Sequence, residues 1–170
     1  MGEGGGETVR VGLISDSHDH VIRIREATSI LNRAGVGIVI HAGDYCSPFA
    51  VRELARLETP LHGILGNNDG DAYQIQRAFA EIGARLESQW WETELAGRRA
   101  LVMHEPRGVV DVAAAGEYDL IVYGHTHERE ERRIGRTLAV NPGEVCGWLT
   151  GIGSLAIYDT DDHEVTFHDF

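Results

Sequence analysis

Leu13-Ile14-Ser15-Asp16-Ser17-His18-Asp19-His20 is the stretch that decides how the chain is read. The apolar run from Val9 to Ile14 has the continuity of a strand buried on both faces, and it stops abruptly in polar residues. A strand of that kind carries its next side chains to the edge of a sheet. Asp16 and His18 are two residues apart, so extended backbone would aim them the same way. A carboxylate and an imidazole converging there can hold a divalent metal. Polar strand ends also serve as turns and helix caps, so the metal reading needs further ligands at the same edge.

The pattern repeats downstream. Val21, Ile24, Ala27, Leu31 and Ala34 recur at helical spacing, and Gly35 follows as a stop. Val36 to Ile40 is a second apolar strand that runs into His41-Ala42-Gly43-Asp44. Ser47-Pro48 reads as a cap and first helical residue of a helix to about Leu57. Leu61 to Leu65 is a third strand, ending in Gly66-Asn67-Asn68-Asp69-Gly70, and a helix follows over 71–83 with Ile75, Phe79 and Ile82 on one face. This βαβαβα order predicts a parallel sheet covered by helices, with function collected at the carboxyl ends of its strands.

The second half changes character. Trp90 to Leu95 and Arg98 to His104 read as a hairpin through Ala96-Gly97, and Val109 to Ala115 as a short helix. Leu120 to Tyr123 ends in Gly124-His125-Thr126-His127, and Thr137 to Val140 runs into Asn141-Pro142-Gly143. Ser154 to Tyr158 and Val165 to Phe167 close the chain as a hairpin around Asp161-Asp162. Two sheets face to face with helices outside are expected. Residues 1–8 are expected to be a flexible lead-in without a signal-peptide core, and residues 9–170 one domain.

Asp16, His18, Asp44, Asn67, His104, His125 and His127 all fall just after apolar strands. The mixture is carboxylate, imidazole and one amide oxygen, which suits Mn, Fe, Zn or Ni better than Ca. Their order resembles the calcineurin-like metallophosphoesterases, in particular the short single-domain archaeal and bacterial phosphodiesterases. That signature runs D-x-H, G-D, G-N-x-D, a lone His and G-H-x-H. It is met by Asp16-Ser17-His18, Gly43-Asp44, Gly66-Asn67-Asn68-Asp69, His104 and Gly124-His125-Thr126-His127. Asn141-Pro142-Gly143-Glu144 and Gly147 to Gly151 are similar to the tail of the short archaeal members.

The resemblance implies a four-layer α/β/β/α sandwich of two mixed sheets and a site for two divalent ions, with Mn foremost and Fe, Ni or Zn as alternatives. Asp16, His18 and His127 would hold the first ion, Asn67, His104 and His125 the second, and Asp44 would bridge them. Ions about 3.5–4 Å apart can share a hydroxide that attacks phosphorus in line with the leaving oxygen. The implied activity is hydrolysis of a small phosphodiester.

Two departures bear on substrate. The third position of G-N-x-D is often a histidine that assists the leaving group, but here it is Asn68. An amide cannot act as an acid near neutrality, although it can donate a hydrogen bond to phosphate. Asn68 is therefore the candidate substrate-binding and catalytic residue of an enzyme that prefers diesters to alkyl monoesters. Asp69, without its usual partner, is expected to anchor the loop, and His20 to cap or support it. His104-Glu105-Pro106-Arg107 also departs from the pattern, which places glycine after this histidine. Glu105 would face solvent or crowd the pocket, and Arg107 reads as a surface residue.

The remaining motifs have plainer readings. His41 is expected to be a buried supporting residue, Cys46 and Cys146 small buried hydrophobes, and Trp90, Trp91 and Trp148 core or partly buried. The alternating charges of Glu128 to Arg133 fit a solvated strand or turn.

The totals exclude other classes. The chain has 170 residues and a formal net charge of −12, and all 15 of its basic residues are arginine. An acidic surface disfavours long nucleic acid, whose binding needs basic side chains, and no apolar run reaches the ~20 residues of a membrane span. Two cysteines make no disulfide framework, which points to a cytoplasmic location. A homodimer is compatible with the resemblance. The rival reading is a protein-binding scaffold on the same fold, like a eukaryotic retromer subunit that has lost much of the catalytic set. Here every signature ligand position is filled.

Overall fold

The computed structural model describes residues 9–170, so the expected lead-in over 1–8 lies outside the described residues. The first apolar run forms β1 (Arg10–Ile14), with Val11, Leu13 and Ile14 wholly buried. Helix α1 (Val21–Ala34) turns Ile24, Ala27, Thr28 and Leu31 inward. His20 caps its start, and Gly35 ends it in the left-handed conformation that glycine adopts without a Cβ clash. β2 (Ile38–His41) follows. α2 (Pro48–Glu53) opens on Ser47, whose Oγ accepts the Phe49 N–H, and it tightens into a 3₁₀ turn over Leu54–Arg56. β3 (Leu61–Ile64), α3 (Ala72–Glu81, capped by Asp71) and β4 (Arg85–Glu87) complete the first half.

The second half runs β5 (Trp90–Leu95), β6 (Arg98–Met103), α4 (Val109–Ala115), β7 (Leu120–Val122), β8 (Arg129–Ile134), β9 (Thr137–Pro142), β10 (Ser154–Asp159) and β11 (Glu164–Asp169). One sheet has the order β11-β10-β1-β2-β3-β4 and the other β5-β6-β7-β9-β8. β1 to β4 are mutually parallel, as are β6, β7 and β9, while β10, β11, β5 and β8 join antiparallel at the flanks. The closing hairpin therefore belongs to the first sheet, with Val11 opposite Tyr158.

Three apolar clusters define four layers. Leu31, Val39, Ile75 and Phe79 lie between the first sheet and α1 to α3. Leu13, Ile40, Ile64, Val102, Val122 and Val140 fill the space between the sheets. Leu101, Ile121 and Ala139 meet Val109 and Ala113 of α4 on the outer side. Each fully buried Leu, Ile or Phe here contributes roughly 1.5–3 kcal/mol over leaving it exposed. This is the α/β/β/α sandwich expected. No helix among the described residues is long and apolar enough to cross a membrane.

Candidate metal centre

The parallel strands of both sheets end at one edge. β1 delivers Asp16 and His18, β2 Asp44, β3 Asn67 and Asn68, β6 His104, and β7 His125 and His127. The structure brings all seven expected ligands into one unbroken chain of contacts. His127 Nε2 lies 3.4 Å from Asp16 Oδ1, which is 3.6 Å from His18 Nε2, itself 3.5 Å from Asp44 Oδ2. Asp44 Oδ2 is 3.4 Å from His104 Nε2, which is 2.9 Å from Asn67 Oδ1, and that oxygen is 2.7 Å from His125 Nδ1.

The far nitrogens explain why the near ones face carboxylates. His104 Nδ1 is 2.7 Å from the Ala42 carbonyl, and His127 Nδ1 is 2.6 Å from Glu144 Oε2. Both partners only accept, so each Nδ1 donates and the neutral ring turns a lone pair outward from Nε2. His18 Nδ1 meets Cys46 Sγ at 3.1 Å. The Nε2 lone pairs of His104 and His127 thus face carboxylate oxygens at 3.4 Å, and His18 Nε2 stands 3.5–3.6 Å from two more, all too far for hydrogen bonds. Two atoms that each bind one ion at about 2.1 Å, roughly 90–110° apart, lie about 3.0–3.4 Å from each other. Asp16 Oδ1 and His18 Nε2 are buried without any hydrogen-bond partner. Buried polar atoms are rarely left so, and a cation between them would satisfy both. Asp16 with His18 and His127, and Asp16 with Asp44 and His104, each have donor atoms within 4.8 Å of one another. The residues present therefore fit divalent metal.

Protonation of the imidazoles would supply part of the same positive charge. The Asp16 carboxylate beside His18 raises its pKa against the pull of burial. Burial lowers that of His104, but the Asp44 carboxylate outweighs it, and the imidazole ends above its ordinary value. Asp44 is driven the other way: burial favours its neutral form, and the nearby His104 imidazole with the two Asn68 N–H donors holds it well below the usual carboxylate range.

The supporting residues are buried and polar. Asp69 accepts backbone N–H donors from Gly66, Asp44, Tyr45 and Cys46 at 2.7–3.0 Å, tying the β2 and β3 loops together. His41 is fully buried, and its Nδ1 accepts the Gly43 N–H, which leaves Nε2 to donate to Ser17 Oγ at 3.0 Å. Burial takes its pKa down to about 3, so it stays neutral. Glycines permit the close approach of the loops: a Cβ on Gly66 would stand 2.2 Å from Asp44 Oδ1, and one on Gly124 2.0 Å from Ser15 Oγ.

Several expectations are corrected. Asp16 and His18 are not extended: their φ angles are 52° and 37°. The Asp16 N–H donates to the Gly43 carbonyl, and the Ser17 and His18 N–H groups to that of Asp44, which curls the loop around β2. Cys46 is only half-buried and faces His18, while Cys146 is buried but gives its thiol to Glu144 at 3.0 Å. Neither is a simple hydrophobe. Trp90 and Trp148 are exposed, at 54% and 62%. His20 Nδ1 accepts the Arg23 N–H and its ring stacks on Trp148, so it caps α1. The Asn68 amide donates to Asp44 Oδ2 at 2.7 Å, and its backbone N–H to Asp44 Oδ1 at 2.8 Å. Glu105 is half-buried beside Arg107 at 3.5 Å.

Glu144 is the residue that sequence reasoning left without a role. It is wholly buried and accepts from His127, Cys146, Leu149 and Thr150. Burial opposes its charge, yet these donors bring its pKa down to about 2. The one available signal was a carboxylate directly after Asn141-Pro142-Gly143 at the end of a buried strand.

Layer order, strand-end site and paired carboxylate–imidazole contacts together define a metallophosphoesterase. The chain belongs to the calcineurin-like phosphoesterase superfamily, whose domain pattern matches residues 9–163. It is 35% identical over 159 residues to phosphodiesterase MJ0936 of Methanocaldococcus jannaschii, covering 92% of this chain and 96% of that one. Its fold matches that of a novel archaeal phosphodiesterase with a TM-score of 0.89, at 33% identity over 95% of this chain and 99% of that one. YfcE, a phosphoesterase from E. coli, matches at a TM-score of 0.62 and 16% identity over 95% and 98% of the two chains, a likeness of fold alone.

Proposed function

We propose that residues 9–170 act as one phosphodiesterase domain working on small diesters with two divalent ions, Mn first and Fe, Ni or Zn as alternatives. Asp16, His18 and His127 would hold one ion, Asn67, His104 and His125 the other, with Asp44 between them. The observation that carries this reading is the buried pair Asp16 Oδ1 and His18 Nε2, 3.6 Å apart and otherwise unpartnered. When bound, such ions supply positive charge to phosphoryl oxygens and lower the pKa of water.

The chain's own residues do the positioning. Glu144 holds the His127 ring in one orientation and Ala42 holds that of His104, so each Nε2 is aimed before any ligand arrives. Asn68 uses one amide N–H on Asp44, and an amide has a second for a phosphoryl oxygen. It has no proton to give near neutrality, and His20 is occupied in capping α1. The site thus favours leaving groups that depart without protonation, which selects aryl and cyclic diesters over alkyl monoesters.

The test is hydrolysis of bis(p-nitrophenyl) phosphate by protein loaded with each metal, with metal content measured alongside. Mn-dependent turnover with about two ions bound is expected. A folded, metal-loaded protein that turns over no diester would overturn the reading in favour of the scaffold.

A further inference from the structure

Beside the Asn67–His104–His125 side lies a cavity of about 220 Å³, bounded by Leu65, Asn67, Trp90, Met103, His104 and Arg107. Trp90 begins the edge strand β5 and pairs with Met103, the residue just before His104. The two side chains therefore rise from the same face of the sheet. Trp91 points the opposite way, into the core between the sheets, where its ring meets His62 at 4.8 Å. Burial accounts for Trp91. It does not account for Trp90, which leaves 54% of its surface in water at the cavity wall.

We infer that this cavity binds one ester group of the substrate, and that the group is an uncharged aromatic ring, an aryl group or a nucleobase, stacked on Trp90. The inference rests on the phosphodiesterase reading, because the phosphate is taken to sit at the neighbouring ligands. The wall chemistry selects the ring. Met103 and Leu65 offer apolar contact, and an exposed indole offers a π face. Arg107 is 3.5 Å from Glu105, so a carboxylate stands beside the guanidinium of the wall. A second phosphate would find no unopposed cation there and would meet the Glu105 carboxylate. At about 220 Å³ the space suits one ring system and is too small for a polymer.

The experiment measures binding of methyl phosphate, phenyl phosphate and adenosine monophosphate to the Mn-loaded protein by calorimetry, so it does not depend on turnover. The wild type is expected to bind at least one ring-bearing phosphate roughly 5- to 100-fold more tightly than methyl phosphate. Trp90→Ala should remove that advantage and leave methyl phosphate binding unchanged, whereas Trp90→Phe should keep most of it. An advantage for phenyl phosphate alone identifies an aryl group, for the nucleotide alone a nucleoside, and for both the ring as such. No advantage in the wild type, or one that survives Trp90→Ala, overturns the inference. If ring preference appears while no diester is hydrolysed, the activity fails and the cavity assignment stands. If diesters are hydrolysed without ring preference, the reverse holds.

Discussion

The two sides of the centre are built differently. On the Asp16–His18–His127 side the donor atoms stand apart, and two of them, both buried, have no hydrogen-bond partner at all. Glu144 and Cys46 fix the rings from behind. On the Asn67–His104–His125 side the ligand atoms crowd together, with the Asn67 oxygen within 2.9 Å of both imidazoles, and Asn67 and His125 are open to solvent. The first side is preorganised and breaks no hydrogen bond at Asp16 Oδ1 or His18 Nε2 when an ion enters. The second must part the Asn67–imidazole contacts, and it borders the cavity inferred to hold the ester group. Under the proposed assignment, the first ion should bind more tightly, and the second should be the one that responds to substrate.

The largest effect is expected at the residue common to both sides. Under the proposed assignment, Asp44→Asn would keep the shape but remove negative charge that both ions would share. Diester turnover should fall by more than about 100-fold, beyond the 10–100-fold typical of outer partners, and metal analysis should find fewer ions per chain. A variant retaining both ions and full activity would dissolve the bridge.

Glu144→Gln tests the asymmetry directly. It should weaken the tighter of two Mn-binding events by roughly 10-fold or more and leave the weaker one in place; His125→Ala should do the opposite. Calorimetric titration reads both, and equal effects of either variant on both events would break the distinction between the sides.

A smaller change is expected at the substrate-facing loop. Asn68→His supplies an acid of suitable pKa, and it should raise monoester turnover relative to diester by about 10-fold, less than the roughly 10²–10⁴-fold of a fully positioned acid. An unchanged ratio in paired assays would remove Asn68 from the account of selectivity.

The least effect is one of pH on the empty protein. His18 and His104 titrate above 6.5 when folded. Their protons stabilise the fold fully below that value, and the contribution is lost as pH rises through the raised values. Melting temperature without metal should therefore drop as pH climbs through this range. Mn affinity should rise over the same range, because the ion and the protons compete for the same nitrogens. Flat profiles for both would mean that these imidazoles do not face the carboxylates in solution.

What could be read in advance follows the strength of each local signal. β1, β2 and β3 are apolar runs with abrupt polar ends, and His20, Ser47 and Asp71 cap their helices where the periodicity begins. β4 escaped because it is three residues long and both charged ends are exposed. The placement of β10 between β1 and β11 escaped because antiparallel partners 147 residues apart, such as Val11 and Tyr158, leave no trace in spacing. The candidate donors could be gathered in advance because each comes just after the end of an apolar strand. The site's inner architecture could not. Glu144 looks like any acidic turn residue until its total burial is known, and Asp16 and His18 lie two apart whether the chain is extended or curled.

That curl reaches well beyond one loop. Asp16, His18, Asp19, Asp44, Cys46, His125 and His127 all have positive φ. This region costs residues other than glycine roughly 1 kcal/mol each, somewhat less for Asp and His. The sum is several kcal/mol, against a typical folding stability of about 5–15 kcal/mol. A descendant freed from holding cations could let these turns slacken and would become sturdier in doing so. Decay of the chemistry, with the sandwich kept as pure architecture, is thus a downhill route for this fold.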